Sequence, residues 1–159
     1  MTTPVKLMIV DDEPHLRSSL TFWFREEGYD VLSAGGGREA LTTLVREAPQ
    51  ILLVDIKMPG MDGLEVLRRV RETSPETTVI IMTAYASVET AIQALKDGAY
   101  DYIVKPFDPE AISRLVKKAA ERYTLLSENR DLKARIEAGE PALVMAGGGP
   151  MAHVLELVD

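Results

Sequence analysis

The chain has 159 residues, no cysteine and a formal net charge of −7. The lack of cysteine excludes disulfides, thiol nucleophiles and cysteine–zinc sites, and the acidic balance argues against direct nucleic-acid binding. No apolar run approaches the ~20 residues that a membrane helix needs, and the N-terminus lacks a signal-peptide pattern. We therefore expect a cytoplasmic protein that does not bind membranes.

The first half of the chain alternates short apolar strands with amphipathic helices. A strand over 6–10 ends in a pair of aspartates, and the helix behind it carries an apolar stripe as far as Gly28. A second strand over 30–34 leads into Gly35-Gly36-Gly37. This triplet lacks the spacing of a phosphate-binding loop, so we interpret it as a flexible connector to the second helix.

Three more strands are predicted over 51–55, 78–83 and 102–104, with helices between them. The first of these is an unbroken apolar run that ends in Asp55, and its Pro-Gly flank favours a strand buried on both faces. Five strands alternating with helices predict an α/β fold. We expect a doubly wound parallel sheet with right-handed crossovers and helices on both faces.

The fifth helix is predicted to extend beyond the sheet domain. Its apolar stripe changes face after about residue 123, and four residues then recur at heptad spacing: Leu125, Asn129, Leu132 and Ile136. This spacing predicts a coiled-coil linker that forms a homodimer, and the alternative is a solvated helix that frays. The expected domains are 1–123, the linker 124–139, and a truncated start of another domain over 140–159.

Polar side chains at the carboxyl ends of four strands are the candidate site. Because those strand ends meet at one edge of a parallel sheet, we expect five residues to converge: Asp11, Asp12, Asp55, Thr83 and Lys105. Three carboxylates in one pocket repel one another unless a cation neutralises them, and oxygen ligands without histidine or cysteine suit Mg²⁺. A lysine and a hydroxyl complete a cradle for phosphoryl oxygens, with Asp55 as the nucleophile.

Two other functions fit parts of this pattern. A metal-dependent phosphohydrolase would use Asp55 as a transient nucleophile, but that class needs a nearby general acid and residue 57 is a lysine. A phosphorylation-independent dimerisation module would carry the acidic pocket as a vestige. Turnover of a phosphate ester would favour the phosphohydrolase. Failure of Mg²⁺-dependent labelling by acetyl phosphate would favour the dimerisation module.

In combination, these motifs resemble the receiver domain of two-component response regulators. The resemblance covers residues 5 to about 123, and its motifs include Met58-Pro59-Gly60-Met61-Asp62-Gly63, Thr83-Ala84 and Lys105-Pro106-Phe107. It implies a flavodoxin-like sheet of order 2-1-3-4-5. It also implies that a sensor histidine kinase phosphorylates Asp55, and that the chain is no enzyme beyond self-phosphotransfer and slow autodephosphorylation.

The resemblance further implies the ligands of a magnesium cofactor. Asp12, Asp55 and the backbone carbonyl of Lys57 would hold Mg²⁺, and Asp11 would orient the ion through water. These assignments follow from the family and are expectations for this chain.

The same resemblance implies a switch around the phosphoryl group. Thr83, Ala84 and Lys105 would bind that group, and Tyr102 would be the aromatic partner that turns inward with Thr83. The peptide bond between Lys105 and Pro106 would be cis.

The tail is similar to the entry into the AAA+ ATPase of sigma-54-dependent transcriptional activators of the nitrogen-regulation and dicarboxylate-transport type. The similarity covers Leu143 to Val158, although Gly147-Gly148-Gly149 departs from the usual pattern. It implies a phosphorylation-controlled dimer interface that regulates downstream ATPase and DNA-binding domains. No Walker A motif is present, so we expect no ATP hydrolysis by that route.

Overall fold

The computed structural model describes residues 4–84 and 88–137. Five strands and five helices alternate in them: β1 Lys6–Val10, α1 Pro14–Glu26, β2 Asp30–Ala34, α2 Gly37–Glu47, β3 Ile51–Asp55, α3 Gly63–Thr73, β4 Thr78–Thr83, α4 Val88–Lys96, β5 Asp101–Val104 and α5 Pro109–Glu137. All neighbouring strands are parallel, and their order is β2-β1-β3-β4-β5. The predicted fold class and strand order are confirmed.

The sheet is apolar on both faces, as its unbroken apolar strands predict. β3 lies between β1 and β4, and all of its residues are buried. Alternate residues separate into two core clusters, because successive side chains of a strand point to opposite faces. Leu52 and Val54 belong to one cluster, and Ile51 and Leu53 to the other. Each fully buried side chain of this kind stabilises the fold by roughly 1.5–3 kcal/mol.

The helices bury less of their apolar surface than the sequence pattern indicates. Ala40 and Leu44 pack from α2 onto the core, whereas Val45 leaves 74% of its surface exposed. In α4, Ile92 and Leu95 are also exposed. A helix on a sheet buries only one stripe, so apolar residues beside that stripe stay at the surface.

Helix α5 is a single helix of 29 residues. The described residues fall into two units, one up to Ala120 and one from Glu121 onwards, and α5 contributes to both. In the first unit Ile112 and Val116 are buried in the core. In the second, Leu125 and Ile136 are exposed.

The homodimer seam and the boundaries 1–123 and 124–139 remain predictions. The expected start of another domain over 140–159 lies outside the described residues. Among the helices that are described, none combines the length and apolar character needed to cross a bilayer.

Candidate functional site

The sheet brings the predicted polar residues to one edge. Asp11 directly follows β1, Asp55 is the last residue of β3, and Lys105 directly follows β5. The register aligns these ends, because Val10 pairs with Val54 and Thr83 pairs with Val104. Residues that are far apart in sequence are therefore placed side by side by strand pairing.

Three carboxylates form the acidic part of this edge. One oxygen each from Asp11, Asp12 and Asp55 lies within 4.8 Å of the others. Asp11 is fully buried and Asp55 is 6% exposed, whereas Asp12 is open to solvent. Like charges this close repel each other, and burial strengthens the repulsion because water screens it less.

Lys105 supplies a positive charge inside the same cluster. Its Nζ lies 2.8 Å from Asp11 Oδ2 and 3.4 Å from Asp55 Oδ2. The other oxygen of Asp11, Oδ1, accepts a hydrogen bond from the backbone N–H of Glu13 at 2.9 Å. Both oxygens of the most deeply buried carboxylate therefore have donors.

One lysine does not neutralise three carboxylates. Burial raises the pKa of Asp55, the charge of Asp11 raises it further, and Lys105 offsets only part of the effect. Burial alone would lower the pKa of Lys105, but the hydrogen bond and charge of Asp11, together with Asp55, outweigh it and raise that pKa. The site thus keeps excess negative charge behind an all-oxygen donor set. A hard divalent cation with several water ligands fits these residues.

The loop after β3 packs closely against the backbone of Asp55, the predicted nucleophile. The backbone N–H of Gly63 donates to the carbonyl of Ile56 at 2.8 Å, and Asp62 caps α3 by accepting from the N–H of Glu65 at 2.9 Å. A Cβ at Gly63 would collide with the backbone carbonyl oxygen of Asp55. The glycine therefore lets the loop turn back across the end of β3, and the exposed Lys57 lies within that loop.

The proposed phosphoryl-binding residues flank the acidic cluster. Thr83 is buried at the end of β4, and the next residue, Ala84, is exposed. The bond between Lys105 and Pro106 is cis, as the family resemblance implies. A cavity of about 690 Å³ opens beside Ala84 and Lys105. It is lined by Ala84, Lys105, Pro106 and Phe107, and by four residues at the start of α1, namely Glu13, His15, Leu16 and Ser19.

Tyr102 lies two residues before Val104, the last residue of β5. It is half-buried on β5, pairs in register with Ile81 and packs against the core cluster that contains Val54. Its role as a switch partner of Thr83 remains a prediction.

No sequence pattern predicts two contacts that lie near the acidic cluster. Arg17 donates from Nη1 to the carbonyl oxygen of Asp11 at 2.6 Å, and a Cβ on Gly35 would lie 3.3 Å from that nitrogen. A Cβ on Gly37 would lie 2.9 Å from Met61 Cβ. Two glycines of the triplet are thus close-packing positions, and the interpretation as a flexible connector misses this function.

Comparison with known proteins gives one consistent family. The family model described as "Response regulator receiver domain" matches residues 7–117. The regulatory protein AtoC of Escherichia coli (strain K12) is 41% identical over 132 residues, which are 83% of this chain and 29% of that protein. The DNA-binding transcriptional regulator NtrC of Salmonella typhimurium is 36% identical over 151 residues, which are 94% of this chain and 31% of that protein.

A solved structure agrees with these relatives. The structure of NtrX from Brucella abortus aligns with a TM-score of 0.78 at 30% identity and covers 84% of this chain and 30% of that one. The chain thus spans less than a third of the length of these three matched proteins.

Proposed function

The chain belongs to the response regulator receiver domain family, and from this premise we propose that Asp55 accepts a phosphoryl group from a sensor histidine kinase. The observation that carries the proposal is the convergence of Asp55 with two further carboxylates and Lys105 at one sheet edge. None of these residues alone would indicate phosphoryl transfer.

The chemistry begins with the Asp55 carboxylate. One of its oxygens attacks the phosphorus of a phosphohistidine, the new O–P bond forms, and the N–P bond breaks with its electron pair left on the imidazole nitrogen. Burial and the charge of Asp11 raise the pKa of Asp55, because the negative charge of its carboxylate is only partly compensated within the cluster. Lys105, within 3.4 Å of Asp55, stabilises negative charge that develops on the phosphoryl oxygens.

Asp12, Asp55 and the backbone carbonyl of Lys57 would hold Mg²⁺, and Asp11 would orient it through water. When bound, the ion supplies positive charge that balances the three carboxylates and the phosphoryl oxygens. Asp11 is already occupied on both oxygens by Lys105 and the N–H of Glu13, which suits an indirect rather than a direct ligand. Asp12 is the exposed member of the cluster and suits direct ligation.

The consequence of phosphorylation is a two-state switch. The new group adds roughly −1.5 to −2 charges, which attract Thr83, the backbone at Ala84 and Lys105. Tyr102 then occupies the space that Thr83 leaves. The change involves α4, β5 and α5, and α5 continues into the linker that we propose as a homodimer seam.

In a longer protein, this seam would transmit the change to further domains. We assign the chain to the regulatory part of a sigma-54-dependent activator, with AAA+ and DNA-binding domains downstream. Support comes from the heptad spacing of residues 125–136, from the tail sequence, and from relatives that are about three times longer and include a DNA-binding transcriptional regulator.

The test is phosphorylation of the purified chain by acetyl phosphate, followed by intact-mass measurement. We expect one added phosphoryl group that requires Mg²⁺ and is lost in Asp55→Asn. Asp30→Asn is the matched control, because Asp30 is an exposed aspartate at the start of β2, the opposite end of the strand from the acidic cluster. Labelling that persists in Asp55→Asn would refute the assignment, and multiple turnover of a small phosphate ester would favour a phosphohydrolase.

A further inference from the structure

We propose that Arg17 is a positioning residue of the acidic cluster, and that Gly35 provides the space in which Arg17 acts. The inference rests on the proposed magnesium site and adds a residue that is neither a ligand nor a phosphoryl-binding group. Arg17 lies on α1, and its guanidinium donates to the carbonyl oxygen of Asp11 at 2.6 Å.

That carbonyl belongs to the peptide bond between Asp11 and Asp12. A peptide unit is planar and includes the Cα of the next residue, so the direction of this carbonyl helps to fix the position of the Asp12 Cα. The preceding peptide is fixed separately, because the N–H of Asp11 donates to the carbonyl of Ala34 at 3.2 Å. The hydrogen bond from Arg17 therefore orients the backbone at Asp12, from which the exposed Asp12 side chain extends.

Gly35 leaves room for the guanidinium beside this carbonyl. A Cβ at residue 35 would lie 3.3 Å from Arg17 Nη1 and 3.7 Å from Arg17 Cζ. Glu39 Oε1 accepts from the N–H of Gly35 at 2.9 Å and holds the glycine backbone in place. A Cβ at residue 35 would therefore displace the guanidinium by a few tenths of an ångström without changing its charge.

The charge of Arg17 and its hydrogen bond to Asp11 predict opposite effects on Mg²⁺ affinity when Arg17 is removed. A guanidinium near the cluster repels a cation, so the loss of its charge alone would tighten Mg²⁺ binding. The loss of a residue that orients a ligand typically weakens metal binding by about 10–100-fold. The sign of the change in affinity thus separates a positioning residue from a bystander charge.

The experiment is calorimetric titration of Mg²⁺ into the full chain. We expect Arg17→Met to weaken the affinity at least about ten-fold, Gly35→Ala to weaken it to a smaller extent, and the double variant to be no weaker than Arg17→Met. Arg17→Lys keeps the charge and can still donate a hydrogen bond, so its Mg²⁺ affinity should lie between those of wild type and Arg17→Met. Thermal unfolding without the cation identifies any variant that is not folded.

Two matched controls are available in the chain. Gly36→Ala places a Cβ where no atom lies within 4 Å, and Arg46→Met removes a guanidinium that pairs with Glu47 at the end of α2. Both should bind Mg²⁺ like wild type. Unchanged or tighter binding in folded Arg17→Met, or additive losses in the double variant, would overturn the proposal. Wild-type protein that does not bind Mg²⁺ would instead refute the proposed magnesium site.

Discussion

Lys105 lies closer to Asp11 than to Asp55: its Nζ is 2.8 Å from Asp11 Oδ2 and 3.4 Å from Asp55 Oδ2. The lysine is thus primarily the partner of a fully buried carboxylate. It has a structural role in addition to its proposed role toward the phosphoryl group, and the two roles can be separated by experiment.

Replacing Lys105 by Met should destabilise the chain by about 3 kcal/mol without divalent cation, because the buried Asp11 side chain loses its partner. Mg²⁺ should restore part of that loss, because the cation supplies the missing positive charge. Urea unfolding with and without Mg²⁺ measures both effects. Lys96→Met, at an exposed position in the last turn of α4, is the control and should change stability by less than about 0.5 kcal/mol. An equal loss with and without Mg²⁺ would contradict this interpretation.

Asp55→Asn should stabilise the cation-free chain at neutral pH. The folded-state pKa of Asp55 is raised, first by burial and then by Asp11. Below the unfolded-state pKa the carboxyl is protonated in both states and carries no penalty. As the pH rises through the folded-state pKa, the native chain must accept a buried negative charge and loses stability.

The gain from Asp55→Asn should therefore be absent near pH 3 and grow towards neutral pH. Urea unfolding at several pH values in the presence of a chelator provides the measurement, and Asp30→Asn is again the control. A gain that is independent of pH would mean that the amide stabilises the fold for another reason.

The sequence is sufficient to predict the sheet and most of the site. Unbroken apolar runs such as Ile51–Val54 occur where a strand is covered on both faces, and a carboxylate at the end of one marks the ligand-binding edge. Parallel pairing then brings Asp55 and Lys105 together without any local signal in either segment. The strand order follows from the family resemblance.

Contacts with the backbone could not be predicted in this way. The partner of Arg17 is a carbonyl oxygen, which every residue carries, so no residue type marks the contact. Gly63 is necessary because of the backbone of Asp55, and Gly37 because of the Met61 side chain. Such requirements depend on distances between separate loops, which hydropathy and spacing do not report.

Gly63→Ala should destabilise the chain by about 2–3 kcal/mol and slow phosphorylation of Asp55. The added Cβ would collide with the Asp55 carbonyl oxygen, and neither backbone segment can move without disturbing β3 or the loop that contains Lys57. Urea unfolding and the rate of labelling by acetyl phosphate test the two effects. The control is Gly36→Ala, where the added methyl group meets open space. Wild-type labelling kinetics in Gly63→Ala would show that the loop tolerates the displacement.

Two apolar residues of the linker are exposed. Leu125 is 37% exposed and Ile136 is 54% exposed, and both belong to the predicted heptad seam. If the seam joins two copies, Leu125→Lys should weaken self-association at least about ten-fold, since each dimer would bring two charges into an apolar interface. Sedimentation equilibrium measures the association constant.

Val45→Lys is the matched control for the seam, because Val45 is even more exposed but lies on α2 in the other compact unit. It should leave self-association unchanged. The predicted seam also contains Asn129, a polar residue that would fix register at a cost in stability, so Asn129→Leu should tighten association. A chain that stays monomeric at high concentration, or equal losses in Leu125→Lys and Val45→Lys, would show that these residues do not form a dimer interface.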